Sequence, residues 1–123
     1  MHPGINGPKF KDKPAIIMAG SGEVITHQEL NELSNQGAQL FRSLGLKPGD
    51  SLAFMMENHK LFFPIAFAAY RSGLKYTAIS WRLQPSEVEY IVSDCNAKVF
   101  ITSKFLEESA KSLSESLQGV HKF

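Results

Sequence analysis

Few side chains in this chain are equipped for chemistry, and most of them stand apart. His2, His27, His59 and His121 do not fall at metal-ligand spacings, so structural roles are expected for each. Cys95 is the single cysteine, and its nearest basic neighbour is Lys98. A reactive thiolate needs a nearby cation or a helix N-terminus to lower its pKa, so no nucleophile is expected there. Gly20-Ser21-Gly22 invites a nucleotide reading. The dinucleotide fingerprint, however, needs a third glycine three residues on that opens a helix. Ile25 holds that position inside an apolar run, and Glu23 would repel a phosphate. Nowhere does a Gly-rich loop lead into Lys and Ser/Thr. What remains is Ser80-Trp81-Arg82, just after a β-type run. Parallel sheets bind ligands beyond the carboxyl ends of their strands, so these three are the candidate binding residues. In the competing and preferred reading Trp81 packs, and Arg82 pairs with a surface carboxylate or a helix end. No catalytic residue and no metal site is identified.

The elements that would position these residues follow from pattern. Ala15–Met18 and Glu23–Ile25 read as a small β-hairpin about the glycines, after an irregular lead-in over residues 1–14. Thr26 and Glu29 match a capping box opening a helix. Leu30, Leu33, Gly37, Leu40, Phe41 and Leu44 recur along it at helical spacing, a stripe expected to lie on a sheet, and Gly45 stops it. Lys47-Pro48-Gly49-Asp50 is a turn. Ser51–Met56 is a short apolar run, as in a strand buried on both faces.

Asn58 is the expected cap of the next helix, with regular geometry from about Leu61 so that Pro64 falls in the first turn. Its Phe62, Phe63, Phe67 and Tyr70 are expected to pack as core, with a fatty-acyl or membrane-surface contact as the alternative. Gly73 ends it and Lys75–Ser80 is a strand. Pro85 opens a short helix to Asp94, Lys98–Thr102 is a strand, and Ser103 is expected to cap a last helix over Lys104–Leu117 that Gly119 breaks. Val120–Phe123 begins one more strand. The alternation predicts an α/β fold: a partial parallel sheet of about four strands with flanking helices, preceded by a small β-hairpin.

Composition limits the function classes. The chain has 123 residues, enough for one domain with one core, and carries 13 basic against 12 acidic residues. That balance gives no electrostatic case for nucleic acid. The longest apolar run, Leu61–Tyr70, is far shorter than the ~20 residues of a membrane span, and the N-terminus lacks the apolar segment of a secretory signal. A cytoplasmic location is expected; one cysteine fits a reducing compartment. A receiver-type signalling domain, which shares the alternation, would need an acidic cluster after its first strand, which this chain lacks.

The order of several short motifs carries a family resemblance, over about residues 13–103. They are Pro14-Ala15, Ile25-Thr26-His27-Gln28-Glu29-Leu30, Leu44-Gly45-Leu46-Lys47-Pro48-Gly49-Asp50, Met56-Glu57-Asn58, the run Ala66–Gly73, and Arg82-Leu83 followed by Glu87, Tyr90-Ile91-Val92 and Asp94. In this order and spacing the chain resembles the N-terminal portion of adenylate-forming (AMP-binding) enzymes of the acyl-CoA synthetase, or fatty-acid–CoA ligase, type. His27 departs from that family's usual tyrosine and Ala78 from its common proline. Tyr76–Leu83 is similar to a branch acting on longer or bulkier acids.

The resemblance implies a two-step reaction. A carboxylate attacks the α-phosphorus of ATP to give an acyl-adenylate and pyrophosphate, and the thiol of coenzyme A then displaces AMP. Bringing two anions together needs a phosphate-cradling loop, a cation such as Mg²⁺ and basic side chains. The family's loop, ribose-binding acid and C-terminal lysine have no counterpart here. The resemblance therefore implies that residues 15–123 are the N-terminal part of an adenylation domain, truncated. ATP, Mg²⁺ and coenzyme A would serve the parent, and no ligand or activity is expected of the fragment alone. Ser80–Arg82 would then face an acyl or CoA pocket. A stand-alone α/β binding or interaction module derived from the family is the alternative. Self-association, or an exposed apolar patch, is expected where the chain stops inside a strand.

Overall fold

The computed structural model describes residues 9–114, 117 and 120–123. The expected stop at Gly119, the helix positions 115 and 116, and His2 with the rest of residues 1–8 lie outside the described residues. The chain divides into two compact units. One runs up to Pro48 and resumes over Asn58–Gly73; the other comprises Gly49–Glu57 and Leu74–Phe123.

In the first unit β1 (Pro14–Ile17) and β2 (Val24–Thr26) pair antiparallel. The hairpin is present, one residue out of the expected register of its ends. Residues 9–13 form turns and bends outside any helix or strand; the Lys13 and Lys11 carbonyls accept hydrogen bonds from the backbone of His27 and Gln28, and the Lys9 and Lys13 ammonium groups each lie 5.0 Å from the Phe10 ring centroid.

Helix α1 (His27–Ser43) begins as its sequence dictates, the Thr26 hydroxyl accepting the Glu29 backbone N–H at 3.1 Å. The return arm of the capping box differs: Glu29 accepts from the Thr26 hydroxyl. Gly45, at φ +85°, closes the helix by donating its backbone N–H to the Arg42 carbonyl. α1 packs against α2 (Phe62–Arg71), and the expected stripe holds at Leu30, Gly37 and Phe41 but not at Leu40. The buried residues are Leu30, Ser34, Ala38 and Phe41, whereas Leu40 is exposed. On α2 the buried residues are Pro64, Ala66, Ala68 and Ala69, while Phe63 and Tyr70 are half exposed. The reason is close approach: a Cβ added to Gly37 would lie 2.7 Å from the Ala68 Cβ. Helices this near admit only small side chains at the point of contact, and Phe63 and Tyr70 are turned outward while Phe62 and Phe67 are partly buried.

Asn58 does not cap α2. The helix starts at Phe62, and the Leu61 backbone N–H donates to His59 Nδ1 at 3.0 Å. Asn58 lies too far upstream of the first helical turn, and the His59 imidazole satisfies that end instead.

The second unit is a four-stranded sheet in the order β4-β3-β5-β6, from β3 (Ser51–Met55), β4 (Lys75–Ile79), β5 (Ala97–Thr102) and β6 (His121–Lys122). All its pairings are parallel, as the alternation predicts. Helix α3 (Pro85–Asp94) buries Val88 and Val92, and α4 (Glu107–Ser114) contributes Leu113. These join Ala53, Met55, Ile79, Phe100, Leu106 and Leu117 in one core. On the other face of β3, Leu52 and Phe54 are also fully buried, as expected for a central parallel strand. The last helix is shorter than expected, because Lys104–Leu106 forms a 3-10 turn before it.

Candidate functional site

Parallel pairing aligns the carboxyl ends of β3, β4 and β5 on one edge. Three short segments leave it: Met56–Glu57, Ser80–Arg82 and Ser103–Phe105. With β3 between β4 and β5, the segments after β4 and β5 meet across its end. There Trp81 and Phe105 pack edge to face, ring centroids 6.4 Å apart and planes at 86°. The Arg82 guanidinium lies 5.3 Å from the Trp81 ring centroid, within the range of a cation–π contact. Ser80 holds the turn, its hydroxyl accepting the Arg82 backbone N–H at 3.3 Å and its carbonyl accepting from Leu83.

The three sequence candidates thus share one turn. The expected partner of Arg82, a carboxylate or helix end, is replaced by the indole face of its own neighbour. Trp81 packs only in part, remaining 40% exposed, and Phe105 is 73% exposed. The solvent-facing parts of both rings are open to an apolar group.

A second connection was not legible beforehand. The Ser103 hydroxyl donates to Glu57 Oε2, joining the ends of β3 and β5. It makes no capping bond to the helix it precedes, which corrects its expected role. The only hint in the sequence was a carboxylate and a hydroxyl each directly following an apolar strand. The pairing follows from the Met55–Thr102 register.

Beside this edge lies a cleft of about 520 Å³. Phe100 and Phe123 form apolar wall, and Lys104 and Lys122 stand at it. The Thr102 hydroxyl in its wall is buried and lacks a hydrogen-bond partner. Among the described residues, no group of three or more His, Cys, Asp or Glu is placed to hold a metal ion. Also among the described residues, no helix is long and apolar enough to cross a membrane.

In the hairpin unit Glu23, the residue expected to repel phosphate, is bound by Lys60 at 3.0 Å. That hydrogen bond and the ammonium charge hold the Glu23 carboxyl below its usual value.

Residues 6–122 match the family described as AMP-binding enzyme. The chain is 36% identical over 100 residues to a long-chain-fatty-acid–CoA ligase of Salmonella typhimurium, covering 79% of this chain and 17% of that protein. It is 30% identical over 95 residues to the fatty acid–[acyl-carrier-protein] ligase ScoC of Streptomyces coeruleorubidus, covering 77% and 17%. Among solved structures, the anthranilate CoA ligase AuaEII bound to anthranoyl-AMP superposes with a TM-score of 0.88 at 22% identity, over 98% of this chain and 23% of that one. The chain thus spans about a sixth of the length of these two curated relatives.

Proposed function

The chain belongs to the AMP-binding enzyme family, and from that premise we propose that it forms the N-terminal part of an ATP-dependent acid–thiol ligase. Residues 15–123 are the opening of its adenylation domain. The parent joins a carboxylate to the α-phosphorus of ATP, releases pyrophosphate, and passes the acyl group to the thiol of coenzyme A in the cytoplasm. Its substrates are fatty or otherwise bulky carboxylic acids.

One observation carries the substrate class: the carboxyl edge presents an aromatic wall, Trp81 against Phe105, with Arg82 stacked on it. Such a surface favours a long apolar group over a small polar acid. Two relatives are named for fatty acids, one with coenzyme A and one with a carrier protein as acceptor. Ser80, Trp81 and Arg82 bind substrate and take no part in bond making.

The chain by itself neither binds ATP tightly nor catalyses, since its sequence has no phosphate-cradling loop. It self-associates through the sheet end where β6 pairs with β5 and where Phe123 is half exposed. A clean monomer by light scattering across a wide concentration range overturns that point.

The deciding experiment is ATP–pyrophosphate exchange by the full-length protein across a panel of carboxylic acids. Exchange that rises with chain length, and a Trp81→Ala variant that raises KM for the acid but not for ATP, is the expected result. Exchange confined to acetate or to amino acids overturns the substrate class. No exchange with any acid overturns the ligase reading in favour of a binding module.

A further inference from the structure

Both arginines at the carboxyl ends of the first unit's helices, Arg42 on α1 and Arg71 on α2, line one cleft of about 470 Å³. The ordinary role for such residues is to complement the negative helix end. Here that role is filled by backbone. The Leu40, Phe41 and Arg42 carbonyls accept from Leu44, Leu46 and Gly45, and the Ala69 and Tyr70 carbonyls accept from Ser72 and Gly73.

The guanidiniums are turned elsewhere. One terminal nitrogen of Arg71 donates to the Asn31 carbonyl, Asn31 Oδ1 and Ser34 Oγ at 3.0–3.1 Å, all neutral acceptors. Among the described residues Arg42 donates from Nε alone, to the Ala38 carbonyl at a long 3.4 Å. Among the described residues neither is paired with a carboxylate, and no Asp or Glu lies on the cleft wall. Ser72 also lines the cleft, and its hydroxyl, buried behind that wall, has no hydrogen-bond partner among the described residues. Buried polar groups without partners are uncommon and mark a place where a partner belongs.

We propose that this cleft binds a small organic oxyanion, phosphate ester or carboxylate, held by the Arg42 and Arg71 guanidiniums and the Ser72 hydroxyl. Guanidinium forks match the geometry of both anions. Ala38, Leu46 and Pro48 supply apolar wall for the attached carbon skeleton. The site belongs to the helical unit and uses none of the residues assigned to the acyl substrate.

The test is titration of the chain with inorganic phosphate, glycerol phosphate and butyrate, followed by backbone amide NMR. Saturable shifts centred on Asn35, Arg42 and Ser72 are expected, and the tighter ligand identifies the anion. Arg42→Gln is expected to weaken binding about ten-fold, the loss of one charge-assisted hydrogen bond. Ser72→Ala is expected to weaken it less. Because Arg71 also braces α1, the test leaves it in place. No saturable shift with any of the three anions, or equal affinity in Arg42→Gln and the parent chain, overturns the proposal.

Discussion

Replacing Gly37 with alanine tests whether close approach of α1 and α2 is what turned both helices. The new methyl carbon would sit 2.7 Å from the Ala68 Cβ, while carbon pairs rest at about 3.5–4.0 Å. Both atoms are attached directly to helix backbone, so no rotamer change relieves the contact and the helices must part by roughly 1 Å. Overpacking of this kind costs about 1–3 kcal/mol. Alanine in place of mid-helix glycine returns about 1 kcal/mol. The expected net is a loss near 1 kcal/mol, opposite in sign to the same change on an open helix face. Ala68→Gly alone is expected to cost about 2 kcal/mol, from propensity and a lost buried methyl. The double variant moves the methyl from one helix to the other and is expected to be close to the parent. The coupling is therefore about 3 kcal/mol, at the upper end for residues in contact. Urea denaturation reads it directly: at about 1–3 kcal/mol per molar, Gly37→Ala lowers the midpoint by roughly 0.5–1 M and Ala68→Gly restores it. A double variant whose loss is the sum of the single losses, or a Gly37→Ala protein more stable than the parent, refutes the reasoning.

Alanine at Trp81 and Phe105, alone and together, is expected to show a coupling of about 0.5 kcal/mol, the low end for an aromatic pair because both rings are exposed. Full additivity in urea midpoints removes the pair as a fixed wall. Ser103→Ala takes the hydroxyl from the Glu57 carboxylate and is expected to cost about 1.5 kcal/mol or more. Adding Glu57→Gln should recover part of it, and a neutral Ser103→Ala assigns no structural weight to the bond. Glu23 titrates below its usual value because of Lys60, so the pair's contribution is present above the unfolded carboxylate pKa and is lost as pH falls through the depressed native value. Since the pair is exposed, Glu23→Gln is expected to leave the neutral-pH urea midpoint nearly unchanged and to flatten only the acid end. A large loss at pH 7 contradicts that.

Local signals were legible wherever the chemistry that decides them is local. Thr26 and Glu29 are three residues apart, and the helix end they describe forms as expected. Two further caps failed for a shared reason. Ser103 and Asn58 have capping side chains, but a hydroxyl or amide bonds to whatever acceptor or donor folding brings nearest. For Ser103 that is Glu57, 46 residues away in sequence. For α2 the donor is satisfied by His59, because the helix begins beyond the reach of Asn58.

By itself the amino-acid order determined the parallel α/β class, since strands alternating with helices leave few other ways to bury both faces of a sheet. It also determined that Ser80, Trp81 and Arg82 would stand at the carboxyl end of a strand, because that follows from position along the chain. Only tertiary structure decided what they touch. Strand order β4-β3-β5-β6 brings Phe105 to Trp81 and Ser103 to Glu57, contacts between segments whose separation no periodicity encodes. The packed stripe of α1 was decided the same way. Leu33 and Leu40 are the more apolar residues, yet Ser34 and Ala38 are buried, because α2 comes close enough at Gly37 that size outweighs hydrophobicity.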